Sequence, residues 1–152
     1  MLSNKAKYAL KALLVLADEY GHGPMLISDL AEREGIPKKF LELILLDLKK
    51  HGLLQSQKGR GGGYFLGKPP GSVTFGQVIR ILDGPLAPVS CVSQMAYQRC
   101  KECRDEATCG VRLVMKETRD AIANVLDGVS LADGLKKVKT VAARSRSRRA
   151  GK

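Results

Sequence analysis

The four cysteines of this 152-residue chain all fall within residues 91–109, in the stretch CVSQMAYQRCKECRDEATC. Thiolates this close together repel one another or oxidise unless a cation holds them. The spacing, C-x8-C-x2-C-x5-C, indicates a soft-metal site, and an iron–sulfur centre and a zinc ion are about equally good candidates. Only Cys100 and Cys103 form a C-x2-C pair. A zinc ribbon would have two such pairs, and a thioredoxin-like motif would need a βαβ setting that is absent here.

Composition and apolar patterning place these thiols in a reducing compartment. With 44% hydrophobic residues, the chain can bury a core without disulfides. Residues 9–17, ALKALLVLA, are interrupted by Lys11 and fit an amphipathic first helix better than a signal peptide. No apolar run reaches the ~20 residues of a membrane span. We therefore expect a cytoplasmic protein whose clustered thiols bind metal.

The formal net charge of +11 is spread unevenly along the chain. Residues 136–152 contain eight basic and no acidic residues, which leaves 18 basic and 15 acidic residues in the rest. The stretch ARSRSRRAGK is rich in Arg and Ser and poor in apolar residues, so we predict a basic disordered tail over residues 139–152. Such a tail attracts any polyanion, and a solvated tail without a function is an equally good interpretation.

A helix-turn-helix is predicted in the first half of the chain. MLISDLAEREG (25–35) offers Ser28 as an N-cap and Gly35 as a stop, and IPKKFLELILLDLKKHG (36–52) places Pro37 at the first helical position. The short turn between the two helices has the spacing of a DNA-binding pair. Any two packed helices of a bundle show the same pattern.

A glycine-tipped hairpin follows the two helices. LLQSQ (53–57) and YFLG (64–67) are predicted strands joined by the turn KGRGGG (58–63), and this order of elements is that of a winged helix. The glycines are not a phosphate loop, because a strand rather than a helix follows them. Lys58 and Arg60 at the tip suit a minor groove, whose negative potential is greatest where it is narrow.

The charge of this region indicates DNA as the ligand. Residues 38–68 contain seven basic and two acidic residues, as phosphate neutralisation requires, and the N-terminal end of the second helix is the end that meets base edges. Glu42 suits a cytosine amino group there, or equally an ion pair with Lys38 or Lys49. The candidate DNA contacts are Ser28, Lys38, Lys39, Glu42, Lys58 and Arg60.

The second half of the chain predicts three more helices: TFGQVIRILDG (74–84), a long helix from Cys109 onward, and a short one over residues 130–138. Apolar residues repeat along the long helix at steps of three and four. A second copy of the chain is the simplest partner for that stripe, and the first helix of the same chain is the alternative. The candidate dimer interface consists of Val111, Val114, Met115, Thr118, Ile122 and Val125.

Together these elements predict a mainly α fold with a small β-hairpin wing, that is, a winged helix-turn-helix plus a long dimerisation helix. The predicted units are a DNA-binding domain (1–84), a cysteine-rich metal- or cluster-binding loop (85–109), the dimerisation helix with a short C-terminal helix (110–138), and the basic tail (139–152).

Several stretches of the sequence resemble the Rrf2-type family of winged-helix transcription regulators, which includes IscR, NsrR, RirA and CymR. They are KAKYALKALLVLA, LISDLAEREGIPKKFLELILLDLKKHGLLQSQKGRGGGYFLGKPP, VTFGQVIRILDG and SLADGL, and the likeness covers about residues 1–135. The resemblance implies a homodimer that binds palindromic promoter DNA. It also implies an iron–sulfur cluster, 2Fe–2S or 4Fe–4S, since many members hold one on three cysteines.

The resemblance assigns the metal ligands. Cys103 and Cys109 keep the family's usual five-residue interval, and Cys91 matches the first ligand, although its separation from Cys103 is longer than usual. Cys100 is additional and is the candidate fourth ligand. The alternative is a fourth iron site open to a small molecule.

The implied function is transcription regulation, with promoter binding controlled by a cluster that senses iron, redox state or nitric oxide. Lys7 and Arg112 stand where relatives place a carboxylate and a histidine ligand, so the cluster type and the signal stay open. The alternatives are a cluster-free repressor that responds through thiols or partners, a zinc-stabilised DNA-binding protein, and a small redox carrier. No Ser/His/Asp or paired-carboxylate constellation predicts an enzyme.

Overall fold

Six helices and one antiparallel hairpin make up residues 2–150, the part of the chain that the computed structural model describes. This architecture confirms the predicted mainly α fold with a hairpin wing. Two 3₁₀ turns, Pro70–Ser72 and Ser90–Val92, lie on either side of the fourth helix. The elements are α1 (Asn4–Asp18), α2 (Ile27–Glu34), α3 (Lys38–Lys50), β1 (Leu54–Gln57), β2 (Gly63–Leu66), α4 (Phe75–Asp83), α5 (Gly110–Gly128) and α6 (Leu131–Ala150).

The first helix is the centre of the hydrophobic core. Ser3 caps α1 by accepting a hydrogen bond from the backbone N–H of Ala6 at 3.0 Å. α1 contacts α2, α3, α4, α6 and β2, because apolar residues occupy most of its circumference. Its buried residues are Ala6, Ala9, Leu10, Ala12, Leu13, Val15, Leu16 and Ala17.

The second half of the chain is fastened to the first by a short backbone pairing. Thr74 and Ser130 form an isolated β-bridge, Phe75 donates to the Val129 carbonyl at 3.0 Å, and Leu131 donates to the Val73 carbonyl at 2.9 Å. The starts of α4 and α6 are therefore held side by side, and α5 packs against α4.

The last helix is longer than the sequence predicted. A short helix over residues 130–138 and a disordered tail over 139–152 were expected, but α6 continues to Ala150, and residues 151–152 lie outside the described part. After Gly134 the helix contains no Gly or Pro and is rich in Ala, Lys and Arg, which have high helix propensity. Local propensity therefore outweighs the composition typical of disorder.

No helix within residues 2–150 is both long enough and apolar enough to cross a membrane.

Candidate nucleic-acid interface and thiol site

The turn between α2 and α3 is shaped by Gly35 and Ile36. Gly35 ends α2 in the left-handed region (φ 63°, ψ 36°), which glycine adopts without strain. The buried Ile36 donates its backbone N–H to the Ala31 carbonyl at 3.0 Å. Pro37 was predicted at the first helical position of α3 but is its N-cap, and the helix begins at Lys38. The φ of Pro37, −56°, is close to the helical value, but its ψ of 123° is not.

The first two turns of α3 present polar side chains to solvent. Lys38, Lys39 and Glu42 are exposed, and in residues 2–150 none of them has an ion-pair partner. Lys49, the expected alternative partner of Glu42, instead donates to the Ser56 hydroxyl at 2.6 Å. The opposite face of α3 anchors the helix through the buried residues Leu41, Ile44, Leu45 and Leu48.

Ser28 lies one position inside α2 and is not its N-cap, which corrects the sequence prediction. Leu26 takes the cap position because Met25 forms a β-bridge with Tyr64, with N···O distances of 2.9 and 2.8 Å, and this keeps the chain extended up to Ile27. The Ser28 side chain is exposed. The bridge also places the start of α2 beside the wing.

The approach of Met25 to the wing was missed by sequence reasoning, and Gly63 was the available signal. Its φ of +143° is a conformation that side chains rarely adopt. A Cβ there would also collide with the Met25 carbonyl group. Glycine at this position therefore allows the residue pair just before α2 to approach β2 closely enough for backbone hydrogen bonds between Met25 and Tyr64.

The tip of the wing displays two cations on a tight turn. Lys58 and Arg60 are exposed, and Gly59 and Gly61 on either side of Arg60 have φ values of +89° and +73°. The turn closes with a hydrogen bond from the Gly62 N–H to the Gly59 carbonyl at 3.0 Å. All six predicted DNA-contact residues thus belong to α2, α3 or the wing, and all six are exposed.

The four thiols lie in the mostly irregular segment between α4 and α5. Cys91 is buried in the 3₁₀ turn Ser90–Val92, Cys100 is exposed, and Cys103 and Cys109 are half-buried. The Cys103 N–H donates to the Cys100 carbonyl at 3.2 Å, which folds the C-x2-C pair into a turn. Cys109 is the N-cap residue of α5.

The tertiary structure brings Cys91 and Cys100 together. A hydrogen bond between their side chains raises the pKa of the Cys100 thiol, and the charge of a Cys91 thiolate raises it further. Desolvation and the charges of Glu102 and Cys109 act in the same direction. A nearby cation would offset these effects and favour the Cys100 thiolate. Among residues 2–150, no group of three or more Cys, His, Asp or Glu side chains is placed to hold a metal ion.

Two arginines of α5 face the thiol segment through contacts that the sequence did not predict. Arg119 donates through Nη1 to the Val92 carbonyl at 2.9 Å, next to Cys91. Arg112 Nε lies 3.8 Å from a carboxylate oxygen of Glu106. In both arginines Nε is buried without a hydrogen-bond partner in the described structure. Their seven-residue spacing, which puts them on one helix face, was the signal that could have identified them.

The outer face of α5 is apolar and uncovered in the protomer. None of the helix's 19 residues is buried, and Val111, Val114 and Val125 are 65%, 56% and 64% exposed. Ile122 is also exposed, and Met115 and Thr118 are half-buried. The predicted stripe therefore lies mainly on a free helix face, whereas the face that carries Arg119 packs against the chain itself.

The family model of Rrf2, described as iron-dependent transcriptional regulators, matches residues 2–137. The chain belongs to the Rrf2 family. A curated Rrf2-like relative, an HTH-type transcriptional regulator of Rhodobacter capsulatus, is 46% identical over a 138-residue alignment that covers 89% of this chain and 92% of the relative. The Rrf2 assignment confirms the family resemblance that the helix and wing sequences indicated.

Solved structures agree with the Rrf2 assignment. CymR, the global cysteine regulator of B. subtilis, superposes with a TM-score of 0.77 at 31% identity, covering 90% of this chain and 97% of that chain. IscR of T. potens superposes with a TM-score of 0.73 at 30% identity, covering 91% and 88%. The Rrf2 relatives are transcriptional regulators with a helix-turn-helix, so this protein is a DNA-binding transcriptional regulator of the same family.

Proposed function

We propose that this Rrf2 protein is a homodimer that binds a palindromic promoter site, and that an iron–sulfur cluster in its thiol segment controls the binding. One observation carries the proposal. All four cysteines lie directly before α5, in a chain that matches a family of iron-dependent regulators. The proposed DNA contacts are Ser28, Lys38, Lys39, Glu42, Lys58 and Arg60.

The uncovered face of α5 supports a homodimer. Exposing a contiguous apolar stripe to water is unfavourable. In a two-fold dimer, the stripe of each protomer would be covered by the same stripe of its partner. The stripe continues into an apolar groove between α4 and α5, to which Leu2, Ile79 and Leu86 contribute. A two-fold dimer carries two recognition helices, as a palindromic operator requires.

The chemistry of the donor set fits an iron–sulfur cluster. Cys91, Cys103 and Cys109 would hold the cluster, and Cys100 would be the fourth ligand, since its thiol already contacts that of Cys91. Soft thiolates are the donors that such centres use, and a bound cation would offset their mutual repulsion. When bound, the cluster supplies a centre that oxidation, loss of iron or nitric oxide alters.

Contacts of the chain itself provide a route from the thiol segment to the DNA-binding face. Cys109 occupies the N-cap position of α5, and Arg119 donates to the Val92 carbonyl. A change in the order of the thiol segment would therefore act on both the start and the middle of α5. α5 is joined to α4 by the ion pair of Arg80 with Asp127, whose second hydrogen bond is 2.8 Å long. Changed order in the segment would shift α5 and with it the distance between the two recognition helices.

A cluster-free regulator that responds through its thiols is the second candidate. The side-chain contact between Cys91 and Cys100 supports it, because an external two-electron thiol oxidant could join these two thiols in a disulfide with release of two protons. The similarity to CymR, a cysteine regulator, supports it as well.

Anaerobic purification with visible spectroscopy and with iron and sulfide analysis tests the proposal. We expect a coloured protein containing iron and sulfide, and promoter affinity that changes about 5- to 150-fold when the iron is removed. Cys103→Ala should remove the colour and the response. Gln94→Ala, an exposed position in the same segment, is the matched control and should retain both.

A colourless, iron-free protein with full promoter binding would reject the cluster and favour the second candidate. In that case a mild thiol oxidant should change promoter affinity in the wild type but not in Cys100→Ala.

A further inference from the structure

The last part of α6 is a basic helix in which only one cation has an ion-pair partner within residues 2–150. Residues 136–149, the basic extension, contain seven Lys and Arg residues and no acidic residue, and every one of these positions is exposed. In the part of the chain that the structure describes, Lys139 is the one cation of the extension with an ion pair. The other six cations therefore form a row of positive charge with no ion-pair partner in the described residues.

The start of α6 holds the extension in a defined direction. Ser130 and Asp133 form a reciprocal capping box, in which the Ser130 N–H donates to the Asp133 carboxylate at 3.0 Å and the Asp133 N–H donates to the Ser130 hydroxyl at 3.1 Å. Leu131 is fully buried in the core. Gly134 lies so close to Phe75 and Leu14 that a Cβ would contact both side chains at 3.0–3.2 Å.

Two contacts show that α6 runs in the same direction as α1. Leu14 lies against Gly134, and one turn later Asp18 accepts a hydrogen bond from Lys139 at 2.8 Å. α1 ends at Asp18, whereas α6 continues for ten further residues to Arg149, about 15 Å at 1.5 Å per residue. The basic extension thus projects beyond the end of α1.

The wing tip lies at this same end of the protomer. The turn that follows α1 lines one groove together with the wing, to which Glu19 and His22 contribute from the turn and Gly61 and Gly62 from the wing. The extension therefore projects past the side of the molecule where Lys58 and Arg60 are displayed.

We propose that the basic extension binds phosphates of duplex DNA outside the operator half-site, beside the wing. The proposal rests on the proposed promoter binding. Arginines at positions 144 and 148 lie one turn apart and repel each other, so a polyanion that neutralises them stabilises the helix. The guanidinium fork suits phosphate oxygens. Val138 and Val141 are the only large apolar residues of the extension, too few for the wide apolar face of a membrane-surface helix.

The test compares two duplexes that contain the same operator, one ending at its edges and one with about ten further base pairs on each side. Binding is measured against salt concentration for the full chain and for the variant Arg144→Gln, Arg146→Gln, Arg148→Gln and Arg149→Gln. Glutamine preserves helix propensity, and the same four positions changed to Lys are the matched control.

We expect the plot of log binding constant against log salt concentration to be about 2 to 4 units steeper for the wild type on the long duplex than on the short one. This corresponds to one or two additional phosphates contacted by each protomer of the dimer. The Gln variant should lose this difference and bind the long duplex about tenfold more weakly at 0.15 M salt, while the Lys variant keeps the difference.

Equal wild-type slopes on the two duplexes, or a Gln variant that matches the wild type on the long one, would overturn the proposal. Binding to phosphatidylglycerol vesicles through these arginines, without any effect of the flanking DNA, would also overturn it and favour a membrane. A wild type that binds neither duplex would overturn the proposed function as well.

Discussion

At the residue scale, Arg60 is the clearest single test of the proposed DNA interface. It stands between two glycines with positive φ, exposed and without an ion pair in residues 2–150, so its guanidinium is free to enter a groove. We expect Arg60→Ala to weaken promoter binding and to reduce the salt slope by about one unit per contacting protomer. Quantitative binding at several salt concentrations measures this, with Lys7→Ala as an exposed control outside the interface. An unchanged slope would remove the wing from the interface.

Asp127 provides a pH-dependent test at the same scale. The hydrogen bond from Arg80 holds the pKa of Asp127 below its usual value of 3.8, with the Arg80 charge contributing as well. A depressed carboxyl pKa stabilises the fold fully above about pH 5, and this contribution is lost as the pH falls through the folded-state pKa. Because the Asp127 side chain is 44% exposed, the effect at neutral pH stays below about 1 kcal/mol.

We therefore expect the stability difference between the wild type and Asp127→Asn to shrink between about pH 5 and pH 2. Urea unfolding across this pH range measures the difference. Glu117→Gln, which removes an exposed carboxylate from the same helix, is the control. A difference that stays constant with pH would show that the ion pair does not stabilise the contact between α4 and α5.

At the scale of elements, the packing of α4 against α5 depends on the absence of a side chain at Gly76. A Cβ there would collide with the carboxylate of Asp127 and contact Arg80 Nη1 at 3.0 Å. Gly76→Ala should therefore lower the free energy of unfolding by about 1–3 kcal/mol, as overpacking does, although alanine itself favours helix. Gly128→Ala, at the end of α5 where a Cβ meets nothing within 4 Å, is the matched control for thermal unfolding. A Gly76→Ala protein as stable as this control would contradict the close packing.

At the scale of the whole molecule, the proposed dimer depends on the apolar face of α5. A glutamate at Val125 would be buried in the proposed two-fold interface, where an unpaired carboxylate is strongly unfavourable. Val125→Glu should yield a monomer by analytical ultracentrifugation and lose most of its affinity for a palindromic site, while one half-site alone is still bound weakly. Asn124→Glu introduces the same charge at an exposed neighbouring position and should remain a dimer. A dimeric Val125→Glu protein would place the interface elsewhere.

Much of the architecture could be predicted because it depends on local patterns. Apolar residues at steps of three and four predicted α1, α3 and α5. Glycines predicted the positions of turns, and the left-handed conformation of Gly35 at the end of α2 confirms one of them. The family could be recognised from the same segments, since the α3 and wing sequences resemble those of the Rrf2 family, whose model matches residues 2–137. The roles of the cysteines and of the DNA-contact residues stay predictions that the experiments above test.

The sequence by itself determined the first five helices, the wing, the family and the clustering of thiols, because these follow from residue type and spacing along the chain. Only the tertiary structure decided that Met25 pairs with the wing and that α6 runs parallel to α1 beyond the core. It also brought the Cys91 and Cys100 side chains into contact and placed Arg119 in a hydrogen bond with the thiol segment. Each of these joins residues from separate elements. Their proximity depends on how the elements pack, and the periodicity of one segment does not record that packing.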